Sequence, residues 1–192
     1  MGATWAADWS VGAVVTKDEF RKSMGCVIDS TLSVAAASFD FTGLPTTYAH
    51  MIAVVYGRGD TAATSIAIGL RLNNDTTANY DFQRLRATAS TVSGLESLGA
   101  TTIEVGSIPA ATAGANLFST VEFSLLNYGG ATNNKTVYSH SGWKIGTVSG
   151  DLTTDAYSGF WRSSAAVSRV TILPSAGNFA AGSRCSIYVM GS

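Results

Sequence analysis

The sequence predicts an all-β chain, an antiparallel two-sheet jelly-roll β-sandwich preceded by a short N-terminal arm and one helix. Three observations carry this. From Cys26 onward apolar residues recur with a period of two, the spacing that sends alternate side chains to opposite faces of a strand. Roughly eight to ten such runs are separated by Gly, Asn and Pro turns at the short intervals of antiparallel sandwiches. No strand–helix–strand alternation occurs, which excludes a parallel sheet with crossover helices. A two-sheet roll hides sheet edges without full closure, and a closed barrel is the alternative. The division is a 1–25 arm and short helix, then a 26–192 sandwich domain.

Taken in order, residues 1–15 are extended and apolar-rich, with Trp5, Trp9, Val11, Val14 and Val15. The helix signal follows. Thr16-Lys17-Asp18-Glu19 is a capping box in which Thr16 caps the Glu19 amide, and Val15 and Phe20 occupy the staple positions. Phe20 and Met24 share one face and Gly25 can end the helix, so about two turns are expected at 17–24. Residues 26–41 alternate weakly and end at the turn Thr42-Gly43-Leu44-Pro45. Met51 to Tyr56 is a nearly continuous apolar run, read as a central strand covered on both faces. Gly57-Arg58-Gly59-Asp60 is a turn.

Ile66, Ile68, Leu70 and Leu72 then line one face of a strand that Asn73-Asn74-Asp75 closes. Tyr80, Phe82, Arg84 and Arg86 lie on one side of the next strand, with Asp81, Gln83 and Leu85 on the other. Residues 88–100 are small and polar and read as a loop. Strands follow at 101–108 and 117–126, then at 135–148 after the Tyr128-Gly129-Gly130 and Thr132-Asn133-Asn134 turns. Gly150 to Ser158 reads as another polar loop. Strands at 160–172 and 183–190 close the domain, broken by Pro174-Ser175-Ala176-Gly177-Asn178, where Pro lacks a ladder donor and Gly and Asn accept positive φ. In the final strand Cys185, Ile187 and Val189 face one way.

Composition narrows the function classes. Of the 192 residues 13% are charged, about half the usual share, and 46% are hydrophobic. Either the strands are built from small residues that need few charges, or other subunits cover much of the surface. A net charge of −1 leaves no electrostatic footprint for nucleic acid. Met1 to Ser10 has no basic leader, so no secretory signal is expected and folding in a cytoplasm is. No run of 18 apolar residues occurs, so no membrane insertion is expected. Cys26 and Cys185, far apart in sequence, read as buried thiols.

The motifs that could carry chemistry are weak. His140 sits between Ser139 and Ser141, but strand neighbours point to opposite faces, which argues against a Ser–His pair. No nucleophile elbow occurs, and two histidines with two cysteines make no zinc spacing. Asp75 and Asp81 with Asn73, Asn74 and Asn79 could form an oxygen-rich calcium loop, which turn chemistry explains as well. Arg58-Gly59-Asp60 is an integrin-type tripeptide in a turn where Gly and Asp are common. Tyr128, Tyr138, Trp143, Tyr157, Phe160 and Trp161, aromatics near expected loops, are candidates to stack on sugars, Trp143, Tyr157 and Trp161 foremost, with core capping as the alternative reading. No catalytic residue, cofactor or metal is expected.

Two segments resemble the small jelly-roll structural proteins of tailed-bacteriophage virions. They are 44–86, LPTTYAHMIAVVYGRGDTAATSIAIGLRLNNDTTANYDFQRLR, and 159–192, GFWRSSAAVSRVTILPSAGNFAAGSRCSIYVMGS. Residues 108–128, IPAATAGANLFSTVEFSLLNY, follow the same family, and 4–25 are similar to a short opening of phage structural proteins. Cys185 departs from the usual aromatic or aliphatic residue, and Val189-Met190-Gly191 from the commoner Tyr-Gly ending. The resemblance implies a non-enzymatic virion protein, assembled in the host cytoplasm. A capsid (head) decoration homotrimer is favoured, because the chain is short and lacks a fibrous stem. Its partners would be copies of itself and major capsid or tail proteins, with Trp5, Trp9, Val14 and Phe20 as attachment residues. The alternative is a tail-tip or fibre receptor-binding or carbohydrate-binding subunit that contacts a host surface glycan.

Overall fold

The computed structural model describes residues 25–191, and these form an all-β sandwich of two antiparallel sheets. The expected helix at 17–24 and the attachment residues Trp5, Trp9, Val14 and Phe20 lie outside the described residues. Twelve strands run in order: β1 Gly25–Thr31, β2 Phe39–Thr42, β3 His50–Gly57, β4 Ser65–Leu72, β5 Tyr80–Thr88, β6 Thr91–Ala100, β7 Ile103–Pro109, β8 Ser119–Leu126, β9 Lys135–Lys144, β10 Leu152–Trp161, β11 Arg169–Pro174 and β12 Arg184–Met190. One sheet has the order β1-β12-β3-β8-β9-β10-β5-β6, the other β2-β11-β4-β7. The pairings nest: β1 with β12, β2 with β11, β3 with β8 and β4 with β7. The hairpins β5–β6 and β9–β10 pair together through β5 and β10 and widen the larger sheet.

The alternation read from the sequence is what closes the core. Ile66, Ile68, Leu70 and Leu72 of β4 are buried, and so are Cys185, Ile187 and Val189 of β12. Met51, Ala53 and Val55 of β3 are buried beside the β12 set in the same sheet. That strand is central, as expected, but only one of its faces is fully covered: Ile52 and Val54 are half-buried and Tyr56 is exposed. Asn73 and Asn74 take positive φ where β4 ends, as their turn reading requires. The Asn73 side chain then receives the amides of Ser168 and Arg169 and donates to the Ala166 carbonyl, fixing the entry to β11.

Both expected loops are strands. Residues 91–100 form the edge strand β6, exposed along most of its length. Residues 152–161 form β10, which alternates strictly, but its inward positions include Thr153 and Asp155 while Leu152 and Phe160 point outward. Hydrophobic contrast runs backwards there, so composition reads as loop.

Close approach of the two layers sets one glycine. A Cβ on Gly106 of β7 would lie 2.6 Å from Val121 Cγ2 and 3.0 Å from Ser141 Cβ, so β7 can lie against β8 and β9 only without a side chain at that point. The cysteines are three ladder positions apart, Cys26 opposite Tyr188 and Cys185 opposite Ser30, and both are free. Cys185 is buried, which pushes its thiol up to about 12. Cys26 is exposed on the edge strand, against expectation.

Candidate functional site

The part of the molecule that departs from an apolar sandwich is where β7 lies under β9, β10 and β5. The inward residues of these strands are polar: Ser139 and Ser141 on β9, Asp155 and Tyr157 on β10, Arg84 and Arg86 on β5. Asp155 is fully buried and takes a two-pronged ion pair from Arg86, Nε to Oδ1 at 2.6 Å and Nη2 to Oδ2 at 2.7 Å. Trp143 Nε1 donates to the same carboxylate at 3.2 Å, and the Arg86 guanidinium sits 5.4 Å from the Trp143 ring centre. The hydrogen bond to Asp155 holds the Arg86 proton more tightly than usual. Tyr157 donates to Glu104 Oε1 at 2.8 Å, and Arg84 Nη1 pairs with that oxygen at 3.4 Å. Burial, reinforced by the Glu104 and Asp155 charges, pushes the Tyr157 hydroxyl well above its ordinary range. Its proton is locked in a structural bond.

This arrangement relocates the sugar-stacking candidates. Trp143, Tyr157 and Trp161 are 8%, 2% and 3% exposed, so none offers a ring face to a ligand. They are inward members of β9 and β10, with their polar atoms spent on carboxylates. Trp161 Nε1 donates to Asp75 Oδ2 at 2.8 Å, and Thr77 and Asn79 also donate to Asp75. Burial works to raise the Asp75 carboxyl, but those donors together hold it well below the usual range. The oxygen-rich loop is thus organised by its own donors. Among the described residues no group of three His, Cys, Asp or Glu is placed to hold a metal.

The other motifs are also tied up. Arg58 of the integrin-type tripeptide donates to the carbonyls of Gly114, Leu117 and Ala113 at 2.8, 2.9 and 3.0 Å, so it fastens the β7–β8 loop. Asp60 accepts from the amide and side chain of Asn178. Ser139 and Ser141 are buried while His140 is exposed on the opposite face, bonded to Tyr138 across 2.8 Å. A shallow hollow of about 440 Å³ lies over Gly142 on that face, between Glu122, His140 and Thr154.

A larger cleft of about 630 Å³ opens on the outward side of the smaller sheet, against the β5–β6 hairpin. Ala67 and Gly69 of β4 make it shallow in side chains, and Arg71, Phe82, Thr102 and Glu104 surround them, with Ser175 at the end of β11. Ser175 Oγ accepts the Ala67 amide at 3.2 Å, leaving its own proton to donate. Arg71 is the distinctive residue. Among the described arginines, Arg84, Arg86, Arg162, Arg169 and Arg184 each pair with a carboxylate and Arg58 holds carbonyls. Arg71 has no such partner among the described residues, and its Nε, like that of Arg84, is buried without a hydrogen bond. Sequence reading passed over it, although it is the one charge in the outward row Ser65, Ala67, Gly69, Arg71 of β4.

Comparison with known proteins gives no identity. No family model matches the chain, and no curated protein matches it. Among solved structures the chain is similar to exo-inulinase from Aspergillus awamori, at 19% identity and a TM-score of 0.38 over 87% of this chain and 29% of that one. It is also similar to SCP-B, a member of the Eqolisin family of peptidases, at 11% identity and a TM-score of 0.25 over 83% of this chain and 65% of that one. The chain thus spans less than two thirds of either protein, and likeness at this level carries no argument about activity.

Proposed function

We propose that the chain is a non-enzymatic structural protein of a bacteriophage virion, built as a jelly roll and assembled as a homotrimer that decorates the capsid surface. The nested pairing of β1 with β12, β2 with β11, β3 with β8 and β4 with β7 supports the jelly-roll reading. The observation that carries the assembly reading is β6. It is an edge strand ten residues long, and it holds Val92, Leu95 and Leu98 at 66%, 40% and 69% exposure with Glu96 as its single charge. A monomer pays for such an edge in aggregation, and proteins that stay monomeric blunt it with charge, proline or short length. Neighbouring protein would cover it. Its partners would be two further copies and a major capsid or tail protein, in a particle assembled in the host cytoplasm. Size-exclusion chromatography with light scattering tests this. A mass near three times 19.9 kDa is expected, and a monomer at high concentration would overturn it.

A second reading, a tail-tip or fibre subunit that binds a host surface glycan, is favoured by one specific observation. The cleft beside the β5–β6 hairpin carries hydroxyls, a half-buried ring and an arginine without a carboxylate partner among the described residues. On this reading Tyr157 supports the site through its hydrogen bond to Glu104, and Trp143 and Trp161 lie outside the cleft lining.

A further inference from the structure

We infer that this cleft takes a saccharide bearing a carboxylate, a uronic acid residue being the simplest, with the carboxylate on Arg71. The inference rests on the second, glycan-binding reading and names its ligand. The first argument is charge. Arg71, Arg84 and Arg86 are three cations at or just beneath the cleft, and Glu104 and Asp155 are two anions, which leaves one positive charge. Glu104 is matched by Arg84 and Asp155 by Arg86, so the unmatched charge is on Arg71. A guanidinium with a buried, unbonded Nε is costly until an acceptor arrives. Its planar fork fits a carboxylate with two parallel hydrogen bonds.

The second argument is the lining. Ser97, Thr101, Thr102 and Ser175 bring hydroxyls to the cleft, and Phe82 brings a half-buried ring. Hydroxyls that both donate and accept, beside an apolar ring, match the polar edge and apolar face of a pyranose. Glu104 lies across the β4–β7 ladder from Gly69, the outward residue next to Arg71, and its carboxylate can accept from sugar hydroxyls and repels a second anionic group. A single carboxylate per bound unit is therefore the best fit. The volume of about 630 Å³ lies within the span of small-ligand sites, roughly 300–1,000 Å³.

The experiment is an amide NMR titration of the full-length chain with a glucuronate-containing disaccharide, its neutral glucose analogue and inorganic phosphate. The acidic disaccharide should shift the Gly69, Thr102 and Ser175 amides and bind about tenfold more tightly than the neutral one, the scale of one charge-assisted hydrogen-bond pair. Arg71→Gln should abolish that preference, while Arg71→Lys should retain part of it. Thr102→Val should weaken both sugars alike, which separates the hydroxyl contacts from the charge should Arg71→Gln fold poorly. Equal affinity for both sugars, or an undiminished preference in Arg71→Gln, would overturn the carboxylate assignment while leaving glycan binding in place. Phosphate displacing the acidic sugar at equal concentration would overturn it too, as a bare anion site. Binding of neither sugar would overturn the glycan reading itself.

Discussion

Lys135 shows how far a residue's role here depends on its partners. It is an inward residue at the start of β9, buried although lysine is among the residues least often found inside. Its ammonium donates to the carbonyls of Gly130, Asn133 and Ser164 at 2.8, 2.8 and 3.1 Å, which uses all three protons. Burial lowers its pKa. The buried tyrosines follow the same logic with the opposite sign. Burial first, and then the nearby Asp75 charge, pushes Tyr80 up to about 12, and burial does the same for Tyr128. Tyr80 accepts the Leu72 amide and donates to the Leu72 and Asp75 carbonyls, and Tyr128 donates to the Pro45 carbonyl, so each phenol proton is part of the fold. Because the folded value lies above the ordinary value of about 10, the folded state keeps a proton that the unfolded chain loses. That stability is complete below pH 10 and drains away as pH rises toward 12. Urea midpoints should therefore fall between pH 10 and 12. The native protein at pH 11 should show phenolate absorbance from no more than four of its seven tyrosines, Tyr80, Tyr128 and Tyr157 staying silent until unfolding. Ionisation of all seven in a folded sample would refute the assignment.

At the scale of elements, legibility in the sequence tracked hydrophobic contrast. β4 and β12 were readable because Ile66 to Leu72 and Cys185 to Val189 bury their apolar sets against the facing sheet. β10 was not, because its inward face carries the acid that Arg86 needs, and nothing local announces a partner 69 residues away. The one-sided placement of Tyr80, Phe82, Arg84 and Arg86 was readable, but its meaning required β10. β6 failed differently. It lies at the end of the larger sheet, so neither of its faces has a core to bury and no periodicity is imposed. Ala89 at φ 50° turns the chain between β5 and β6 without a Gly or Asn to signal it. The same exposure makes β6 the place to test association. Val92→Lys with Leu98→Lys adds two charges to an exposed edge, and surface changes of this kind usually cost within about 0.5 kcal/mol. The double variant should keep its melting temperature and lose oligomeric mass in light scattering, because desolvating lysine at an apolar interface is unfavourable. An unchanged oligomer would exclude β6 from the interface.

For the whole molecule, the described residues supply a buried apolar core shared by both sheets. The buried apolar cluster runs from Phe39 on β2 to Val189 on β12 and draws on both sheets, and β1 joins it only as a lightly covered edge strand paired with β12. The all-β class was legible because period-two burial dominates the long strands. The extra width of the larger sheet was not, because the β5–β6 and β9–β10 hairpins meet through a polar interior that sequence patterns score as surface. The proposal that residues 1–15 attach the protein while the sandwich folds is testable by deletion. Removal of 1–15, with Trp5, Trp9 and Val14, should leave strand content and thermal midpoint close to those of the full chain, since no described core residue is lost. On the capsid-decoration proposal the truncated protein should still trimerise through its sandwich yet fail to bind particles that lack the native protein. Tryptophan anchors of this kind commonly carry 2 kcal/mol or more of an interface, roughly thirtyfold or more in affinity. Trp5→Ala with Trp9→Ala in the full chain should therefore reproduce much of the loss of binding without altering the fold. Full occupancy of particles by the truncated chain, measured by sedimentation of the mixture, would move the attachment surface onto the sandwich itself, with the outward face of the larger sheet as the next place to mutate.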